Sequence, residues 1–124
     1  MSRLSSEWED KLAIREVLER YMRYNDDGAL DRIVALFDAD GVYQVMGHIM
    51  RGHDEIRAFL SADGVFADGK PRWTDPGQLL MQPRSMHLSS NPIIDLEGST
   101  ATVESEFVVL RRGEDGRARI ALVG

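Results

Sequence analysis

The chain has 124 residues, a formal net charge of −6, 43% hydrophobic residues and no cysteine. That length fits one domain, residues 1–124, and the composition is that of a globular rather than a disordered protein. The acidic balance disfavours nucleic acids and anionic membranes as partners, and the lack of cysteine excludes disulfides, thiolate metal sites and cysteine nucleophiles.

The N-terminal part of the chain predicts two helices. Ser6, followed three residues later by Glu9, has the form of a capping box at a helix start. Apolar residues then recur at spacings of three and four, which predicts a helix of about four turns with one buried stripe: Trp8, Leu12, Ile14, Val17, Leu18, Tyr21 and Met22. Gly28 breaks this helix, and Asp27 is placed to cap a second helix with the stripe Leu30, Ile33, Val34 and Phe37.

The rest of the chain predicts mainly strands. Extended or alternating segments cover residues 42–46, 49–51, 81–89, 91–96, 100–111 and 118–123. A third helix at 53–60 has acidic residues in its first turn, and 61–79 is expected to be a long loop. Pro92 indicates a sheet edge or a bulge. Helices followed by antiparallel strands predict an α+β domain in which helices pack on one face of a curved sheet.

The location of the protein is also predicted from what the chain lacks. No apolar run approaches the roughly 20 residues that span a bilayer, and the N-terminus has no signal-peptide core. We therefore expect a soluble cytoplasmic protein. The chain stops within the last predicted strand, so we expect either completion by a partner chain or a shortened product.

Four segments together resemble one family. They are Tyr-x-x-x-x-Asp at 21–26, Leu-Asp-x-x-x-x-Leu-Phe at 30–37, Gly-His-Asp-Glu-Ile-Arg-Ala-Phe-Leu at 52–60 and Met-His-Leu-Ser-Ser-Asn-Pro-Ile-Ile at 86–94. Their order and spacing resemble the SnoaL-like branch of the NTF2-like (cone) superfamily from about residue 8 to the end of the chain. The resemblance implies a curved antiparallel or mixed sheet around a deep apolar pocket that the N-terminal helices close.

That family includes scytalone dehydratase, bile-acid 7α-dehydratase, polyketide cyclases and ketosteroid isomerases. It also includes the non-catalytic small subunits of ring-hydroxylating dioxygenases. The resemblance implies no cofactor and a homo-oligomer, either a homodimer through the sheet or a trimer. The family's usual last strand and the second histidine of scytalone dehydratase have no counterpart before the chain ends.

Tyr21, Asp26 and His87 match the tyrosine, aspartate and histidine that the dehydratase members use. Histidine suits the base that removes a proton next to a carbonyl, because its unperturbed pKa of about 6.5 lies near neutrality. A carboxylate on the other ring nitrogen would fix the tautomer and stabilise the imidazolium. A tyrosine would donate to the oxygen that gains negative charge. Elimination, isomerisation and aldol closure share this enolate chemistry.

Each of these residues also has a purely structural interpretation. Asp26 would cap the second helix, His87 would be an ordinary core or surface histidine, and Tyr21 would belong to the apolar stripe. The residues expected to line the pocket are Tyr43, Met46, Trp73 and Phe107. The histidine spacing and the lack of cysteine predict no metal site, and His48 and His53, beside glycines, are expected to be solvated.

Two functions of different classes follow. One is a cofactor-independent lyase or isomerase (a dehydratase, isomerase or cyclase) acting on a small hydrophobic ring that is polyketide-, steroid- or aromatic-like. The other is a non-catalytic module that binds a ligand or assembles with another subunit. Unpaired strands near the end of the chain favour the second, because open sheet edges invite pairing.

Overall fold

The computed structural model describes residues 3–62, 85–112 and 115–124. The elements in chain order are α1 (Arg3–Asp27), α2 (Leu30–Val34), β1 (Val42–Val45), β2 (His48–Arg51), α3 (Gly52–Ala62), β3 (Ser85–Glu97), β4 (Thr100–Arg112) and β5 (Ala118–Val123). They fall into two compact units: a sheet unit, Met1–Met22 with Pro83–Gly124, and a hairpin unit, Arg23–Gln82. The protein is α+β, as the sequence predicts.

Helix α1 starts earlier than its sequence pattern predicts and ends before Gly28, as predicted. It begins at Arg3, so Ser6 lies inside the helix and the expected capping-box start is wrong. At its C-terminal end Gly28 has φ 66°. The Gly28 N–H donates to the Asn25 carbonyl (3.3 Å) and the Ala29 N–H to the Tyr24 carbonyl (2.9 Å). This pair of bonds is a Schellman motif, which glycine permits because it has no Cβ.

The predicted apolar stripe of α1 is only partly buried. Trp8, Leu12 and Val17 are 67%, 63% and 46% exposed. The rest of the stripe is half-buried: Ile14, Leu18, Tyr21 and Met22. The reason is rotational, because each residue turns the helix by about 100°, so side chains nine residues apart, such as the exposed Leu12 and the half-buried Tyr21, point in opposite directions.

The hairpin unit has its own apolar core around α2 and α3. The buried residues are Leu30, Ile33, Val34, Met50, Ile56 and Leu60. Ala29 is the N-cap of α2 and no side chain caps it by a hydrogen bond, so the predicted cap by Asp27 is wrong. Asp27 instead ends α1 and forms an ion pair with Arg23, four residues earlier, with Nε and Oδ2 3.8 Å apart.

Strands β1 and β2 form a tight antiparallel hairpin that leads into α3. Val45 pairs with His48, which leaves Met46 and Gly47 as a two-residue turn. Their φ angles, 48° and 80°, are those of the type I′ turn whose twist suits a hairpin. Helix α3 then begins at Gly52, with Asp54 and Glu55 in its first turn as predicted.

The sheet unit contains three antiparallel strands in the order β3–β4–β5. The register shifts between Ser90 and Ile93, which confirms the bulge indicated by Pro92. Side chains alternate along β3 and β4, so one face of the sheet carries the buried or half-buried residues His87, Ser89, Val103, Ser105, Phe107 and Val109. We call this surface the His87 face.

Candidate functional site

Asp26 is buried at the C-terminal end of α1. It is 7% exposed, and it is the one buried polar or charged residue in the described part of the chain. Every buried side-chain nitrogen and oxygen of the described residues has a hydrogen-bond partner, so this carboxylate is not an uncompensated charge. The interpretation of Asp26 as the cap of α2 has no support, because the N-cap position of that helix makes no side-chain hydrogen bond.

Tyr21 is half-buried on the same helix, five residues before Asp26. Five residues turn an α-helix through 500°, which leaves the two side chains about 140° apart around its axis. Tyr21 therefore does not share a helix face with the carboxylate. Its role as an oxyanion donor stays a prediction.

His87 lies on β3 with its side chain half-buried. It is directly opposite Val109 of β4, which is 4% exposed, and Val109 is in turn opposite Leu122 of β5. The imidazole thus stands beside a buried aliphatic side chain.

Phe107, predicted to line the pocket, shares the His87 face. Its N–H donates to the Gly124 carbonyl over 2.7 Å, and the Gly124 N–H donates to the Phe107 carbonyl over 3.0 Å. The N–H and the carbonyl of Phe107 therefore both point toward Gly124, away from β3. Ser89, its partner on β3, is then in the non-hydrogen-bonded type of pair, while the Phe107 ring leans over Gly124 on the β5 side and fills the space that a Cβ there would need. Sequence reasoning missed Ser89, although a residue two positions after His87 in an extended segment must share its face.

The other three predicted lining residues differ in position. Tyr43 is half-buried on β1, where its ring contacts Phe37 and Phe59 edge-on, with centroids 5.6 and 6.3 Å away. Met46 is in the hairpin turn and 83% exposed, so its position gives no support to a lining role. Trp73 lies outside the described residues. So does the predicted loop 61–79, except for its first two residues, which belong to α3 (Gly52–Ala62), so the expected start of the loop is wrong.

The two histidines expected to be solvated differ from each other. His48 is exposed and its ring lies 5.4 Å from that of Phe59. His53 is half-buried, and its Nε2 is 2.7 Å from the Phe37 carbonyl oxygen, so for this residue the expectation is wrong. The bond links the start of α3 to the chain after α2, which makes His53 a structural histidine.

Asp26 and His87 belong to different compact units, and their convergence on one cavity stays a prediction. Among residues 3–62, 85–112 and 115–124, no three His, Asp or Glu side chains form a group that could hold a metal ion. The described helices also include none with the length and hydropathy to cross a membrane.

Comparison with known proteins gives one family and several similar folds. A family model described as a SnoaL-like domain matches residues 6–124. A solved NTF2-like protein with a cystatin-like fold from Novosphingobium aromaticivorans is 26% identical at a TM-score of 0.71, over 95% of this chain and 69% of that one. Among curated proteins, none matches the chain.

Two further structures from the same organism share the fold. A provisionally named scytalone dehydratase is 17% identical at a TM-score of 0.67, over 98% of this chain and 90% of that one. The beta subunit of a provisionally named aromatic-ring-hydroxylating dioxygenase is 20% identical at a TM-score of 0.71, over 96% and 76%. The chain spans only 63% of a solved protein of unknown function from Mycobacterium tuberculosis, which is 21% identical at a TM-score of 0.74 over 100% of this chain.

Proposed function

Because the chain belongs to the SnoaL-like domain family, we propose that it is a cofactor-independent enzyme that moves a proton next to a carbonyl on a small hydrophobic ring. The burial of Asp26 carries this proposal. Removing a carboxylate from water costs several kcal/mol before any partner compensates it, which makes a buried carboxylate a candidate functional group. The similar fold of a provisionally named scytalone dehydratase supports the same class of reaction.

In the proposed mechanism His87 is the base. It takes a proton from the carbon next to the carbonyl, and the bonding electrons move to the carbonyl oxygen to form an enolate. Asp26 would bond the second ring nitrogen, fixing the tautomer and stabilising the imidazolium. Tyr21 would donate to the enolate oxygen. Phe107 and Tyr43 would contact the ring of the substrate.

The enolate then has three outcomes. Loss of a hydroxyl group on the next carbon completes a dehydration, with the His87 proton leaving as part of the water. Return of the proton to a different carbon completes an isomerisation. Attack of the enolate carbon on a second carbonyl closes a new ring. The choice among them depends on the substrate rather than on the base, so one assay of enolate formation tests all three.

That assay is exchange of the hydrogens next to the carbonyl of 1-tetralone in D₂O, followed by NMR. We expect wild-type protein to accelerate exchange, and His87→Ala and Asp26→Asn each to reduce the acceleration at least about 100-fold, the lower end of general acid–base effects. Asp27→Asn is the matched control, because Asp27 is the adjacent half-buried carboxylate and forms an ion pair with Arg23 of the same helix. Acceleration that survives in either site variant, with circular dichroism unchanged, contradicts the mechanism.

A second candidate is a non-catalytic module that assembles with other subunits. It is favoured by the sheet surface opposite the His87 face, which we call the Leu88 face: Met86, Leu88, Val108, Leu110, Ile120 and Val123. Leu88, Ile120 and Val123 are 47%, 69% and 66% exposed. The similar fold of a dioxygenase beta subunit fits this candidate. Absence of exchange by wild-type protein across ring ketones, together with a stable oligomer, would favour it over the enzyme.

A further inference from the structure

A bulge in β5 brings two arginines together across the sheet. The register shifts by one residue between Val109 and Leu110 of β4, which gives β5 an extra residue at this point. Arg119 consequently lies directly opposite Arg111 of β4. In an unshifted ladder that place would belong to Ile120, and Arg119 would lie on the other side of the sheet. Bulges re-aim side chains in this way, often next to functional sites.

The two guanidinium groups, which we call the arginine pair, are only half balanced by negative charge. Like charges at directly opposite positions repel each other. Asp115 balances one of them, since its Oδ2 accepts a hydrogen bond from Arg119 Nη2 over 3.0 Å, while its Oδ1 accepts one from the Arg117 N–H over 3.1 Å. Among the described residues, none forms an ion pair with Arg111. The arginine pair with Asp115 thus keeps one net positive charge, in a protein whose formal net charge is −6.

The arginine pair lies at the rim of the His87 face. Arg111 follows Val109 by two residues on β4, so their side chains share one side of the sheet, and Val109 is directly opposite His87. Arg111 is therefore the diagonal cross-strand neighbour of His87, a separation of about 7–8 Å that a long side chain spans. Both arginines are exposed, whereas His87 is half-buried. A ligand on this face would place an apolar part beside Val109 and its solvated end at the arginine pair.

We propose that the arginine pair binds a carboxylate group of a ligand that lies on the His87 face. A guanidinium presents its N–H donors in a planar fork that matches the two oxygens of a carboxylate. One carboxylate also balances the single net charge, whereas a phosphate, with a charge near −2, would exceed it. The ligand class is then a hydrophobic ring that carries an acid group. The inference rests on the proposed function only in taking the His87 face as the side that the ligand occupies, and the arginines take no part in proton transfer.

The experiment compares 2-naphthoate with the neutral 2-naphthamide, which has nearly the same shape, by isothermal titration calorimetry at low salt. We expect wild-type protein to bind the naphthoate about five-fold more tightly, the upper end of the effect of an exposed ion pair. Arg111→Gln should remove that preference and leave the affinity for naphthamide unchanged, which also shows that the variant is folded. Sodium chloride at about 1 M should remove the preference too, because it screens charges beyond roughly 3 Å.

Arg51→Gln is the matched control, because Arg51 is an exposed strand arginine of the β1–β2 hairpin, outside the sheet unit. The inference is overturned if wild-type protein binds neither probe or shows no preference for the naphthoate. It is equally overturned if Arg111→Gln keeps the preference, or if Arg51→Gln loses it to the same extent. Failure of the proposed function is read separately, because tetralone exchange that survives in His87→Ala would end the mechanism without changing the preference between the two probes.

Discussion

Gly52 connects β2 to α3 in a backbone conformation that other residues rarely adopt. Its φ is 78°, and a Cβ on this residue would lie 3.2 Å from the Ala39 carbonyl oxygen. Its N–H also donates to the Gly41 carbonyl over 2.7 Å. A side chain here would add a steric contact to the strain of a positive φ.

We predict that Gly52→Ala lowers the free energy of unfolding by about 2 kcal/mol, measured by urea denaturation. Gly47→Ala separates the two causes, because Gly47 has φ 80° and nothing within 4 Å of a Cβ. That variant should lose only the conformational part, about 1 kcal/mol. Equal losses in the two variants would show that the contact with the Ala39 carbonyl has no energetic effect.

Among the residues of the candidate site, sequence reasoning found those that have a chemical signature. Two signals stand out in the sequence: a carboxylate two residues before a helix-breaking glycine, and a histidine in an extended segment. The structure buries Asp26 and places His87 opposite Val109. Ser89 has no such signature, since serine is common in strands and turns. Its relation to His87 follows only once the strand and its register are known.

At the scale of elements, strands were easier to predict than helix ends. Period-two alternation predicts β4 to within one residue and β5 at its observed bounds, Ala118–Val123. A Ser-x-x-Glu sequence fits a helix interior as well as a helix start, so it did not locate the start of α1. Rotation accumulates over successive spacings of three and four, so Trp8 and Leu12 were assigned to a stripe from which the helix turns them away.

Helix α2 has five residues, too few to be stable in isolation, so its stability comes from packing against α3. Ile33 and Ile56, which are 1% and 0% exposed, are the most deeply buried large side chains of the described residues. We predict that Ile33→Ala costs about 3 kcal/mol of unfolding free energy and Ile33→Val about 1 kcal/mol. Ile49→Ala, at a strand position that is 51% exposed, is the control. Equal losses for Ile33→Ala and Ile49→Ala would contradict packing as the source of stability.

At the scale of the whole molecule, the Leu88 face is an apolar surface that the described residues leave partly exposed. Two cross-strand rows, Met86–Leu110–Ile120 and Leu88–Val108–Val123, place six apolar side chains side by side. Contiguous apolar surface of this kind marks interfaces more often than free surface, because burying it removes apolar area from water. A second copy of the chain would cover it with the same kind of surface.

We predict that the wild-type protein is a homo-oligomer by light scattering after gel filtration, and that Leu88→Lys shifts it to monomer. The introduced ammonium group would be buried without a counter-charge at such an interface, which costs several kcal/mol. Thr102→Lys adds the same charge on β4 at an exposed position outside the two apolar rows, and it should leave the assembly intact. Monomeric wild-type protein, or equal dissociation of both variants, would remove the Leu88 face as an interface.

Leu88→Lys should also retain tetralone exchange, because Leu88 and His87 point to opposite faces of the sheet. Loss of exchange on dissociation would instead show that the catalytic site needs the oligomer.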